Sequence, residues 1–299
     1  MAVLHSYVQN GTGIPKLRSH EMSLAIDKKI RDFGGEIWYN SDVTKIIMKD
    51  GKPVGVEING EKEVYGKQFI CNCYPYKVFT ELMDKKDVPE MQLKMLNARK
   101  TACTLTTVYL GMNKTKEELG INDYSIFIAP DSDSDKQYDA AQNYFSGYCI
   151  INCLNEIIPD CTPEGTSQLF LTTMTFGDVM KDIKPQDYKK FKTKIAKDMI
   201  ETCEKALNIS IMPYIEEIEI ALPPTFARYL NTPLGTPYGY MLEKWDSMIP
   251  RTVQYLKDQP FDNFYFCGAT QERGDGYGCA YYTGEKAGGI VVKKIKEGK

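Results

Sequence analysis

Apolar residues recur with helical spacing in four stretches. Met22, Leu24, Ile26, Ile30 and Phe33 trace one helix, which Gly34-Gly35 stops. Tyr76 to Asn97 reads as helical through Val78, Phe79, Leu82, Met83, Leu93 and Leu96. Tyr188, Phe191, Ile195, Met199, Cys203 and Ala206 trace the longest helix, with Lys189, Lys190, Lys192, Lys194 and Lys197 on its other side. Cys279 to Ile295 is the fourth, with Ala280, Thr283, Gly284, Ala287 and Gly288 forming a small-residue stripe.

Strand patterns fill the rest. Glu36–Tyr39 and Val43–Met48 read as strands, and Asp50-Gly51 signals a hairpin into Val54–Ile58. Asn59-Gly60 turns the chain again, and Val64–Cys73 returns. Further strands are predicted at Thr101–Leu110, Ser125–Ala129, Tyr144–Leu154, Gln168–Met174 and Asn263–Cys267. Asp131–Asp135 reads as an exposed loop, and the prolines from Pro213 to Pro237 mark an irregular, tyrosine-rich segment.

Composition narrows the function classes. The 299 residues are 42% hydrophobic and 26% charged, as in a globular chain. Thirty-seven basic against 40 acidic residues give a net charge of −3, which excludes nucleic-acid binding by bulk charge. No apolar run approaches the roughly 18 residues of a membrane span, and the N-terminus lacks the pattern of a secretory signal. The nine cysteines are odd in number and read as reduced thiols in a cytosolic compartment. Cys71 and Cys73 read as small buried groups sharing one face of a strand end. The lysine-rich helix suits a solvated outer face first, and a peripheral contact with an anionic membrane only second. With only His5 and His20, neither a metal site nor a Ser-His-Asp triad is expected, and no catalytic set stands out.

The most informative chemistry lies near the C-terminus. An apolar strand runs into Gly268-Ala269-Thr270-Gln271-Glu272-Arg273-Gly274-Asp275-Gly276-Tyr277-Gly278 and then a helix. Glycines let backbone approach a ligand, and the first helical N–H groups favour an anion. A phosphate, the pyrimidine end of a flavin, and plain loop–helix packing all fit this pattern. The dinucleotide fingerprint is missing: Gly11-Thr12-Gly13 lacks its third glycine, and Gly274, Gly276 and Gly278 have the wrong spacing. Arg228, Arg251 and Arg273 suit phosphate contacts or surface ion pairs; Glu272 and Asp275 suit proton shifts or a helix cap. Tyr238, Tyr240, Tyr281 and Tyr282 suit the wall of an apolar pocket or ordinary packing.

Five stretches in this order resemble the C-terminal part of the phytoene desaturase-like FAD-dependent oxidoreductases, within the flavin amine oxidase superfamily. They are Gly34–Ile37 through Asp42–Ile46, Phe69–Pro75, Pro223–Thr225 with Arg228-Tyr229, Thr232–Gly235 with Tyr238–Tyr240, and Asn263–Gly284. The resemblance implies an α/β flavoprotein fold in two domains, without the N-terminal GxGxxG dinucleotide lobe. Residues 1–75 and 259–299 would form parts of the FAD-binding domain. Residues 76–258 would form an α+β substrate domain with a mixed sheet and helices over an apolar cavity. It implies FAD as cofactor, with Val43 on the adenine side and Gly268, Ala269, Asp275, Gly276, Tyr277 and Gly278 around the flavin and ribityl portion. It further implies hydride transfer at flavin N5 with a hydrophobic polyene, carotenoid- or retinoid-like. A dinucleotide lobe supplied in trans is one partner this implies; the alternative reading is a truncated or split non-catalytic subunit that needs a partner lobe to bind FAD. Ala269 stands where amine oxidases place a glutamate, which argues against an amine substrate.

Overall fold

The structure, a computed structural model, describes residues 9, 11, 13–16, 18–272 and 276–298. Its first helix, α1 (Ser19–Asp32), has no buried residue. A three-stranded meander follows, β1 (Val43–Lys49), β2 (Lys52–Ile58) and β3 (Lys62–Tyr65), antiparallel throughout. Both hairpin turns have positive φ at the two predicted positions: 50° and 73° at Asp50-Gly51, 55° and 72° at Asn59-Gly60. That geometry follows the right-handed strand twist, and Asp-Gly and Asn-Gly tolerate it best.

Glu36–Tyr39 is not a strand. The Trp38 indole donates to the Glu36 carboxylate, and the Tyr39 hydroxyl donates to Asp27 on α1. These aromatic side chains are tied locally, and the backbone has no ladder to join. The predicted return strand splits into β3 and β4 (Phe69–Cys71), with Gly66 between. The long helix expected from Tyr76 to Asn97 is also broken. A short turn, α2 (Pro75–Lys77), continues as a π-helical turn over Val78–Leu82, and a separate helix, α3 (Glu90–Ala98), starts after Pro89. Pro89 lacks the N–H that a continuous helix needs there.

Five strands make the main sheet, in the order β6-β7-β8-β5-β9. They are β5 (Thr104–Met112), β6 (Ser125–Ile128), β7 (Cys149–Cys153), β8 (Ser167–Thr175) and β9 (Ile215–Ala221). All four pairings are antiparallel, so the mixed sheet implied by the resemblance is not seen among the described residues. The segment read as an exposed loop at Asp131–Asp135 instead starts a helix, α4 (Ser134–Ala140), because the Asp133 carboxylate accepts from Asp135 N and Lys136 N.

The long helix α5 (Tyr188–Leu207) covers one face of the sheet. Ile195, Met199, Ile200 and Cys203 pack there with Val108, Leu110, Ile151, Leu169 and Leu171. Each such side chain contributes roughly 1.5–3 kcal/mol by leaving water. The opposite side carries Lys194 and Lys197, in i,i+4 ion pairs with Asp198 and Glu201. Asn208 ends the helix in a left-handed cap with φ 53°. Inside this core the thiols of Cys203 and Cys149 lie 3.6 Å apart, both fully buried.

The proline-rich segment is more regular than its composition suggests. It holds β9 and a helix, α6 (Pro223–Leu230), opened by its prolines and capped by Asn231 at φ 52°. Helix α7 (Met248–Gln254) leads to the last strand, β10 (Phe264–Phe266), and the final helix, α8 (Gly276–Lys296). β10 pairs in parallel with β4. Phe264 and Phe266 face Ile46, Val78, Phe79 and Leu82, whereas Tyr265 and Cys267 face Ala287 of α8. The strand's period of two thus joins the meander to the last helix. Among the described residues, no helix is long and apolar enough to cross a membrane.

Candidate functional site

The parallel pair β4–β10 carries two chain segments outward side by side. Cys267 N donates to Cys71 O at 3.0 Å, so the strand ends stay in register up to Gly268. There the backbone turns at φ +87°, and a Cβ would lie 1.9 Å from the Asn72 Oδ1. Only glycine allows Asn72 to sit against this bend. Gly268 N donates to the Thr283 hydroxyl at 2.9 Å, which clamps the bend to the first turns of α8.

A third segment closes the far side. Gly239 lies at φ +80°, with the Ala269 carbonyl oxygen 2.3 Å from where a Cβ would be. Tyr74 donates its hydroxyl to Gly239 O at 2.9 Å. Tyr74, Gly239 and Ala269 therefore hold Phe69–Pro75, Tyr238–Tyr240 and the terminal loop together.

Gly276, Tyr277 and Gly278 are all exposed, and among the described residues a Cβ on either glycine would meet nothing within 4 Å. The first turn of α8 itself holds no acid, and the acid Asp275 directly precedes it in the sequence. Tyr277 stacks on Tyr281, ring centroids 6.4 Å apart. Asp275, with Arg273 and Gly274, lies outside the described residues. Val43 is half-buried against the cluster that holds Phe264 and Phe266, so its meander abuts the strand that feeds the loop.

Behind the loop sits a buried ionic network. Arg99 grips Asp246 with two bonds, 2.9 and 3.1 Å, and Arg251 reaches the same carboxylate at 2.6 Å. Arg251 also donates to Met241 O and Gln271 O, fixing the loop from behind. Lys286 of α8 pairs with the fully buried Glu272 at 2.6 Å. A small recess of about 20 Å³ lies among Arg99, Tyr240, Arg251, Tyr255, Asp258 and Glu272, room for about one water. Among the described residues, the Tyr240 hydroxyl, Arg251 Nε and Glu272 Oε1 have no hydrogen-bond partner. Burial raises the pKa of Tyr240, of Tyr74 and of the Asp258 carboxyl. Arg251 and Glu272 thus serve the interior and each other's neighbours; Arg228 is exposed on α6.

The thiols differ from their sequence reading. Cys71 is half-buried, but Cys73 is exposed, because the chain bends away at Asn72 before the second position is covered. The Cys71 S–H donates to the Cys73 sulfur, and with the nearby Lys77 ammonium it draws the Cys73 pKa down to about 6. Among the described residues no group of three His, Cys, Asp or Glu side chains is arranged to hold a metal.

This architecture, an antiparallel sheet domain inserted between the two strands of a parallel pair that ends in a glycine loop and helix, is shared with solved oxidoreductases. A solved oxidoreductase from Methanosarcina mazei superposes with a TM-score of 0.60 at 13% identity, over 96% of this chain and 58% of that one. In sequence the chain is similar to carotenoid and retinoid enzymes. It is 26% identical to prolycopene isomerase of Daucus carota over 217 residues, 73% of this chain and 34% of that protein. It is 22% identical to all-trans-retinol 13,14-reductase of Danio rerio over 294 residues, 89% of this chain and 47% of that protein. The chain therefore spans between a third and a half of the relatives it matches. No family model matches it.

Proposed function

We propose that this chain supplies the substrate domain and the flavin-cradling loop of an FAD-dependent oxidoreductase acting on a hydrophobic polyene, carotenoid- or retinoid-like. The observation that carries the reading is the β4–β10 pair leading through Gly268 to the exposed start of α8. Backbone there can approach a planar ring, and the helix end favours negative charge on it. Gly268, Ala269, Gly276, Tyr277 and Gly278 would hold the ring and ribityl portion together with Asp275, and Val43 the adenine side. Bound there, FAD supplies hydride transfer at its N5.

The chain's own residues would orient and shield. Thr283 and Asn72 fix the loop, and Lys286 neutralises Glu272 beneath it. The sheet face away from α5 suits an extended apolar substrate. It presents Phe127, 58% exposed, and the edge-to-face pair Tyr109–Phe170, centroids 5.4 Å apart. A groove of about 460 Å³ opens beside that pair, within the range of small-molecule sites.

The dinucleotide lobe is assigned to a polypeptide segment outside these 299 residues. Its docking face includes the uncovered apolar side of α1, where Ile26, Ile30 and Phe33 are 44%, 40% and 79% exposed. Titration of FAD into the purified chain, alone and with the polypeptide encoded immediately upstream, tests the reading. Saturable quenching of flavin fluorescence with one FAD per chain is expected in the combined arm. Absence of binding in both arms overturns it.

A further inference from the structure

Three segments meet at the recess beside Arg99, and each brings one buried polar atom that has no partner among the described residues. Tyr240 follows Gly239, which packs on Ala269; Arg251 belongs to α7; Glu272 belongs to the terminal loop. The three residues are 5%, 4% and 1% exposed. The Arg251 Nη atoms are committed to Asp246 at 2.6 Å, Met241 O at 2.9 Å and Gln271 O at 3.4 Å, so Nε–H is the donor left over. Lys286 takes Glu272 Oε2 at 2.6 Å, so Oε1 is the acceptor left over. The Tyr240 ring sits edge-to-face on Tyr74, centroids 5.0 Å apart, with the Arg99 guanidinium 5.4 Å from its centre. Its hydroxyl is the third group without a partner. A buried polar group left unbonded is destabilising and uncommon, so three around one recess call for something that joins them.

The chemistry of the three groups defines the occupant. Nε–H only donates, a carboxylate oxygen only accepts, and a phenol hydroxyl does either. Their complement accepts once, donates once and does either once. A small anion would face the Glu272 carboxylate, and a cation would face the guanidiniums of Arg99 and Arg251. Water meets both conditions, and the recess of about 20 Å³ has room for one molecule. We propose that this recess is a binding site for one structural water, which accepts from Arg251 Nε, donates to Glu272 Oε1 and pairs with the Tyr240 hydroxyl. Buried waters commonly make about three hydrogen bonds, the number offered here. The water ties Tyr240 and α7 to the terminal loop at Glu272, next to the long Arg251–Gln271 bond of 3.4 Å. The site needs no cofactor, so it stands independently of the flavin reading.

The sign of one stability change separates a bridged hydroxyl from an unbonded one. Tyr240→Phe deletes the oxygen and keeps the ring between Tyr74 and Arg99. With a water joining the three groups, the variant loses a hydrogen bond and leaves that water one partner short. Its unfolding equilibrium constant, measured in urea, is expected to rise roughly 2- to 12-fold over the unmodified chain. Without the water, deletion relieves a buried unpaired group, and a constant that falls or stays the same overturns the proposal. Tyr74→Phe, which removes a direct bond to Gly239 O at 2.9 Å, calibrates the loss of one hydroxyl contact. A high-resolution crystal structure of the unmodified chain gives a second reading that does not depend on how the variants fold. Density for one water about 2.6–3.2 Å from all three atoms is expected. A dry recess, an ion within it, or a direct bond from the Tyr240 hydroxyl to Glu272 or Arg251 overturns the proposal.

Discussion

At Gly268 one missing methyl group decides the geometry of the loop. An alanine there would place carbon 1.9 Å from Asn72 Oδ1, on backbone at φ +87° that side-chain-bearing residues avoid. Gly268→Ala is expected to cost about 1–3 kcal/mol in urea unfolding. Combination with Asn72→Ala should recover the steric part of that loss but not the φ part, a partition that a double-mutant cycle measures. Glycine richness made this loop visible in the sequence. What the sequence did not reveal is which neighbour demands the glycine, because Asn72 lies on a different strand. The same limit applies to Cys71 and Cys73. Their spacing is plain, but their unequal exposure depends on where β4 ends, and nothing local marks that end.

Elements were legible where periodicity and punctuation agree. The meander follows from alternating residues between Asp50-Gly51 and Asn59-Gly60, and α5 from its long apolar row and Asn208 cap. β9 was hidden because it is an edge strand. Its Glu216, Glu217 and Glu219 are exposed, breaking the apolar alternation and discouraging pairing with another chain's edge. Residues 36–39 misled in the opposite sense, being rich in strand formers with no strand to pair with. The two faces of α5 should respond differently to truncation. Met199→Ala, fully buried against the sheet, is expected to cost about 2–5 kcal/mol, and Lys190→Ala on the exposed side less than about 0.5 kcal/mol. Chemical denaturation of both variants checks the contrast.

On the scale of the molecule, long-range charge pairing unites segments that sequence order keeps apart. Arg99 meets Asp246 across 147 positions, and Arg251 joins them to hold the loop at Gln271. No motif announces such a pairing; arginines in the sequence suggested phosphate contacts, and the fold commits Arg251 to the interior. Asp246→Asn leaves both guanidiniums without their shared carboxylate, and a loss of roughly 3–5 kcal/mol is expected in thermal or urea unfolding. The similarity to known oxidoreductases was legible in the sequence through the order of the five motif stretches, although strand direction in the main sheet was not.

The sulfurs of Cys149 and Cys203, 3.6 Å apart but inaccessible, make the native state its own protection against air. Once the sheet opens, that protection is gone, and the five buried thiols join those already reachable. A denatured sample left without reductant accumulates wrongly joined chains that cannot rebuild the hydrophobic interior. Recovery of this molecule after unfolding is therefore governed by the redox buffer as much as by the denaturant.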